Sequence, residues 1–101
     1  MLNVSVLGYG TVGSGVVEVL TTNAERIAKK AGQELNVKYI LDLREFPGDP
    51  FADKVVHDFN QIVEDPDVQI VVETMGGVNP AYDFVKASLE AGKSVCTSNK
   101  E

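Results

Sequence analysis

A single α/β domain, built as a doubly wound parallel sheet of about five strands in the order 3-2-1-4-5, is what this sequence predicts. Three observations carry that reading. Short β-branched runs alternate with segments of helical period along the chain. A glycine-rich turn joins the first run to the first helical segment without a gap. The run Val68–Thr74 is apolar almost throughout, the pattern of a strand covered on both faces.

The elements follow in order. Leu2–Leu7 alternates apolar and polar residues and reads as the first strand. From Val12 an apolar stripe runs through Val16, Leu20, Ala24, Ile27 and Ala31, in steps of three and four. That spacing predicts one long helix. It ends at Gly32, a left-handed C′ residue, after Lys29 and Lys30, whose charges suit the helix C-terminus. Asn36–Leu41 is the second strand. Glu45–Asp53 carries Pro47-Gly48 and Pro50 and reads as a loop with a mobile turn. Val55-Val56 is a short third strand, and Asp58 or Asn60 caps a short helix over Phe59–Val63 that Pro66 stops. After the fourth strand, Asn79-Pro80 is an N-cap followed by proline at the first helical position. That helix runs to about Glu90, packs Ala81, Val85, Ser88 and Leu89, and stops at Gly92. Ser94–Thr97 is the last strand.

The 101 residues suit one core, not two. Hydrophobic residues make up 44% and charged residues 24%, which excludes wholesale disorder. A net charge of −6 argues against general nucleic-acid binding and against adhesion to anionic membranes. No apolar run approaches the ~20 residues of a membrane span, and the N-terminus has no signal-peptide pattern. With Cys96 the single cysteine, a cytoplasmic setting is expected. The sequence stops directly after an apolar run, so residues 1–101 read as one domain at the start of a longer polypeptide.

Gly8-Tyr9-Gly10-Thr11-Val12-Gly13 matches G-x-G-x-x-G, directly after a strand and at the opening of a helix. That context gives the motif its mechanism and marks a Rossmann-type dinucleotide site. Gly8 permits the tight turn, Gly10 lets a pyrophosphate approach the backbone, and Gly13 lets the helix pack closely on the strand. The helix N-terminus offers N–H groups and partial positive charge to the phosphates. Gly15, inside the first helical turn, reads as a further close-packing glycine.

The acidic residue expected about 20 residues past the glycines, facing the adenosine ribose, is Asp42; the long first helix pushes it further along. An aspartate there accepts from the ribose diol and favours NAD. Arg44, two residues on, can hold a 2′-phosphate and favours NADP. Both cofactors are therefore expected to be accepted, with NAD(H) at least as good as NADP(H). At the carboxyl end of the fourth strand, Glu73-Thr74-Met75-Gly76-Gly77 lies beside the point where strand order reverses, where ligands of open α/β sheets sit. Thr74, Gly76 and Gly77 are candidate cofactor residues, the two glycines leaving room for a ribose or nicotinamide ring. Glu73 must be hydrogen-bonded to be tolerated in a buried strand.

Three stretches together carry a resemblance: Gly8 to Val16, Val72 to Gly77, and Ala91-Gly92-Lys93-Ser94-Val95-Cys96-Thr97-Ser98-Asn99-Lys100. In order and separation they resemble the N-terminal nucleotide-binding portion of homoserine dehydrogenases. The resemblance implies reversible reduction of aspartate 4-semialdehyde to homoserine with NADPH or NADH, in threonine and methionine synthesis. It implies that Tyr9, Thr11 and Val12 join the glycines around the pyrophosphate. It places Thr97, Ser98 and Lys100 towards the nicotinamide, with Lys100 the catalytic candidate close to the aldehyde. An ammonium there stabilises charge as hydride arrives, or moves a proton. It also implies a further catalytic and dimerisation region, hence a homo-oligomer. The chain departs from the family at Leu41, where many members carry arginine, and at Cys96, where valine is usual.

Two other readings stand beside it: a different Rossmann-type NAD(P)-dependent oxidoreductase, and a module that senses NAD without chemistry. His57 has no second histidine or cysteine near it in the sequence, so no metal site is expected. Cys96, Tyr39, Phe59 and Phe84 read as core residues.

Overall fold

The computed structural model describes residues 2–33, 35–42, 44–74 and 81–97. Among the described residues there are five strands: β1 (Leu2–Leu7), β2 (Leu35–Leu41), β3 (Val55–Val56), β4 (Val68–Glu73) and β5 (Ser94–Thr97). They form one sheet in the order β3-β2-β1-β4-β5, and every neighbouring pair is parallel. This is the order expected from the alternating pattern. The helices are α1 (Thr11–Thr22), α2 (Ala24–Ala31), α3 (Asn60–Val63) and α4 (Ala81–Glu90), with a 3₁₀ turn at Ala52–Lys54.

Successive residues of a strand point to opposite faces, and β1 divides the core accordingly. Val6 lies on one face with Val17, Val37, Ile40 and Tyr9, against which Val16 and Leu20 of α1 pack. Leu7 lies on the other with Leu41, Ile62, Val68 and Val71, covered by Phe59 beside α3 and Phe84 of α4. The sheet is thus wound on both sides, as right-handed crossovers require.

Four expectations change. The single long helix is two, broken at Asn23 (φ −105°, ψ 24°). The break is shallow: Asn23 N–H donates to Val19 O at 3.0 Å, and Asn23 O accepts from Ile27 N–H at 2.9 Å. Its cause is the Thr21-Thr22-Asn23 run of weak helix formers, with Thr21 Oγ1 bonding back to Val17 O. Leu89 is exposed, because Ser88 and Phe84, one turn apart, take the inner face of α4. Cys96 is exposed too: its neighbour Val95 packs inward, so Cys96 faces the opposite side of the edge strand β5. Gly15 has open space where a Cβ would stand and marks no close packing. By contrast Gly32 (φ 77°) ends α2 in the left-handed conformation, as expected.

Two polar ties, one of them buried, hold the lower rim, where β4 begins. Lys93 is buried and its Nζ donates to Asp65 O at 2.7 Å and Val68 O at 2.8 Å. Asp65 accepts from Lys38 Nζ at 2.6 Å and Tyr39 Oη at 2.8 Å. The Lys38 ammonium, helped by the Asp67 N–H, pulls the Asp65 carboxyl down to about 2.

Candidate functional site

The site lies at the carboxyl ends of β1, β2 and β4, around the glycine turn. Gly8 has φ 98°, a left-handed conformation that a side chain would strain, and its N–H donates to Leu41 O at 2.7 Å. Gly10 is exposed and precedes α1. Among the described residues the nearest atom to a Cβ built there, its chain neighbours aside, is Arg44 Nη2 at 4.0 Å, so they leave the outer side of the turn open. At Gly13 the reverse holds: a Cβ would stand 1.9 Å from Gly8 O and 2.9 Å from Thr74 Oγ1. Gly8 and Gly13 therefore play the turn and packing parts expected of them, and the side of Gly10 is left open.

Helix α1 starts at this open side. Gly10 has no side chain to cap it and the first turn has no acidic residue, so its N–H groups and partial positive charge face outward. Thr11 and Val12 supply backbone to that first turn; their side chains lie outside the described residues. A phosphate group fits this cradle, since the space a side chain at Gly10 would fill is vacant and N–H donors border it.

Asp42 follows β2 and is nine-tenths buried by its side chain. Its Oδ2 accepts Tyr9 N–H at 2.9 Å, which ties the rim of the glycine turn to the end of the second strand. Both of its oxygens also accept from Arg44, at 3.0 Å from Nε to Oδ1 and 3.0 Å from Nη2 to Oδ2. The Arg44 guanidinium holds the Asp42 carboxyl well below the usual carboxylate range, against the burial that opposes it. Asp42 and Arg44 thus come together as one ion pair beside Gly10, and the arginine's outer side remains exposed.

The loop after Arg44 is not the free turn expected from Pro47-Gly48. It folds back on the glycine turn. Tyr9 Oη donates to Asp49 Oδ1 at 2.9 Å, and the same oxygen accepts Phe51 N–H at 2.8 Å. The Phe46 ring meets the Tyr9 ring edge-on at 4.9 Å, and the Arg44 guanidinium lies 5.2 Å from the Phe46 centroid. Burial, and then the bond to Asp49, pushes the Tyr9 phenol up to about 12. No sequence pattern pointed to Phe46 or Asp49, because their partners are supplied by a turn some 40 residues earlier.

Thr74 works inward. Its Oγ1 lies 2.9 Å from Leu7 O and 3.0 Å from Gly8 O, within donating distance of both, and its N–H donates to Leu7 O. It clasps the glycine turn against β4. Glu73 is buried at the tip of β4 and accepts from Thr97 Oγ1 at 2.5 Å, which joins the ends of β4 and β5. Gly76, Gly77, Ser98 and Lys100 lie outside the described residues.

His57 stands behind the ion pair, with Nδ1 2.6 Å from Asp42 O and Nε2 3.0 Å from Glu45 Oε1. Among the described residues no cluster of His, Cys, Asp and Glu is placed to hold a metal ion, and no helix is long and apolar enough to cross a membrane.

Comparison with known proteins accounts for this arrangement. A family model described as homoserine dehydrogenase, NAD binding domain, matches residues 8–101. The homoserine dehydrogenase of Methylobacillus glycogenes is 40% identical over 104 residues, covering 98% of this chain and 25% of that protein. That of Helicobacter pylori is 37% identical over 101 residues, covering 98% and 24%. The crystal structure of a homoserine dehydrogenase from Thiobacillus denitrificans superposes with a TM-score of 0.89 at 36% identity, over 99% of this chain and 24% of that one. The Staphylococcus aureus enzyme at pH 7.0 gives 0.88 at 35% identity, over 99% and 26%. The chain spans about a quarter of the length of the relatives it matches. The glycine turn and strand order that the residues predict are thus those of a known group of enzymes, and the chain belongs to the homoserine dehydrogenase family, within its NAD-binding domain.

Proposed function

We propose that residues 1–101 are the NAD(P)-binding domain at the start of an enzyme that reversibly reduces L-aspartate 4-semialdehyde to L-homoserine, in threonine and methionine biosynthesis. The observation that carries it is the open side of the glycine turn at Gly10, bordered by the N-terminus of α1 and by the Asp42–Arg44 pair. Gly8, Gly10, Gly13 and the backbone of Tyr9, Thr11 and Val12 would hold the pyrophosphate. Asp42 would accept from the adenosine ribose, and Arg44 would face a 2′-phosphate. When bound, the nicotinamide supplies or accepts the hydride.

Thr74, Gly76, Gly77, Thr97 and Ser98 line the nicotinamide end in this reading. Lys100 steadies the carbonyl oxygen of the substrate as negative charge develops on it. The Glu73–Thr97 bond sets the end of β5, from which that lysine follows three residues on. The protein works in the cytoplasm as a homo-oligomer, with small-molecule partners and neither nucleic acid nor membrane. It accepts both NAD(H) and NADP(H), because the folded-back loop keeps Arg44 at the rim beside Asp42.

Calorimetric titration of the chain with NADH and NADPH tests the cofactor part, and incubation with homoserine and oxidised cofactor tests the division of labour. Binding without turnover is expected. Failure to bind either dinucleotide would refute the cofactor role, and homoserine oxidation by these residues alone would refute the need for substrate groups elsewhere. Binding that persists in a longer enzyme form with no turnover would favour the NAD-sensing module.

A further inference from the structure

Two polar features at this site exceed what a pyrophosphate cradle needs. Tyr9 sits at the second position of the glycine motif with its N–H given to Asp42, yet its side chain is buried as well and its hydroxyl is used. Asp49 lies in a loop of turn-forming residues with no partner in its own strand or helix, yet one oxygen accepts from both Tyr9 Oη and Phe51 N–H. Between them stands Phe46, with the Tyr9 ring edge-on at 4.9 Å on one side and the Arg44 guanidinium 5.2 Å from its centroid.

The contacts form a relay from the glycine turn to Arg44. Asp49 N–H donates to Phe46 O at 3.1 Å, closing the loop on itself, and Tyr9 pins the closed loop to the turn. The pinned Phe46 ring then offers a flat negative face to the guanidinium. Arg44 is anchored at its other edge by Asp42, with Nη2 4.0 Å from the Cβ position of Gly10. A long exposed side chain ordinarily loses much rotamer freedom when it binds an anion. Here most of that freedom is already spent in the unliganded chain.

We propose that Tyr9 and Asp49 are positioning residues for the 2′ end of the cofactor: their hydrogen bond fixes the loop from Arg44 to Phe51 so that Arg44 is held ready for a 2′-phosphate. The proposal rests on the dinucleotide-binding reading above. It gives the side chain of Tyr9 a part at the adenosine end, where its N–H already meets Asp42. It also makes NADP(H) affinity depend on a loop that NAD(H) does not need, since a ribose diol is met by Asp42, which is held from β2.

The test uses the 101-residue chain and four probes: NADPH, NADH, 2′,5′-ADP and 5′-AMP. Tyr9→Phe removes the hydroxyl and keeps the ring against Phe46. Asp49→Ala removes the acceptor, and Asp49→Asn restores an oxygen at the same place. Tyr9→Phe and Asp49→Ala are expected to weaken NADPH and 2′,5′-ADP by about three- to tenfold, the range of one lost hydrogen bond. NADH and 5′-AMP should change less than about twofold, and Asp49→Asn should recover most of the loss. A merely structural role would weaken all four probes together. Equal losses across the probes, or no loss with any, would overturn the proposal while leaving dinucleotide binding intact. A wild-type chain that binds none of the four would overturn the dinucleotide reading itself, and this proposal with it. Should Tyr9→Phe fail to fold, the Asp49→Ala and Asp49→Asn pair carries the same comparison.

Discussion

Gly8 O lies 1.9 Å from the place a Cβ on Gly13 would occupy, closer than any real Cβ contact. The carbonyl belongs to the backbone of the turn, and Thr74 closes the same spot from the β4 side at 2.9 Å. Helix α1 can therefore leave β1 at this angle only if residue 13 has no side chain. The opposite relationship holds at Gly10, where among the described residues beyond its chain neighbours nothing approaches nearer than Arg44 Nη2 at 4.0 Å. One motif thus contains a glycine that the fold requires and a glycine that the packing of the fold does not.

Gly13→Ala is expected to lower the stability of the chain by about 3 kcal/mol, the upper end of ordinary overpacking, because the clashing atoms are backbone and cannot swing away. Urea denaturation followed by circular dichroism measures it. A loss under ~0.5 kcal/mol, the scale of a surface substitution, would mean that the helix tilts to make room.

Gly10→Val should leave stability within about 1 kcal/mol of wild type. Its backbone (φ −82°, ψ −157°) is one any residue adopts, and the space beyond it is open. The branched side chain would occupy the phosphate approach, so NADH and NADPH affinity should both fall at least tenfold, about 1.4 kcal/mol. Unchanged affinity in calorimetry would make the turn purely structural.

Asp42→Asn keeps an acceptor for Tyr9 N–H and removes the negative charge that would face a 2′-phosphate. Wild type is expected to bind NADH and NADPH within about tenfold of each other. The variant should shift that ratio towards NADPH by about tenfold, from lost like-charge repulsion. If the ratio does not move, Asp42 does not face the ribose.

Acid should expose the Asp65 tie. Its carboxyl is lowered from 3.8 to about 2 in the folded chain, chiefly by the bond from Lys38. A lowered carboxyl stabilises the fold in full above its unfolded value and loses that contribution as pH falls through the folded value. The stability gap between wild type and Asp65→Asn should therefore be level above about pH 4 and shrink towards about pH 2. Thermal melts across that window check it; a gap that stays constant would show that the Lys38 pair contributes nothing.

The local rules were legible before any coordinates. Strands β1, β4 and β5, the stop at Gly32, the turn at Gly8 and the close packing at Gly13 follow from residues adjacent in the chain, where φ preferences and side-chain periods act. The alternation of elements, with the right-handed rule, implies a parallel sheet, and the glycine motif after the first strand points to the order 3-2-1-4-5. What the residues left open was decided by contacts between distant segments. Asp42 and Arg44 are two residues apart, and either could have turned to solvent; the Tyr9 N–H from another strand's end fixes Asp42, and the pair follows. Pro47-Gly48 marks a turn, but only Tyr9 Oη meeting Asp49 makes the loop a fixed wall. Leu89 and Cys96 looked inward by composition and face outward by geometry, since Ser88 and Val95 hold the inner positions of their elements. Periodicity tells which residues share a face, and the packing of neighbouring elements then decides which face is inside.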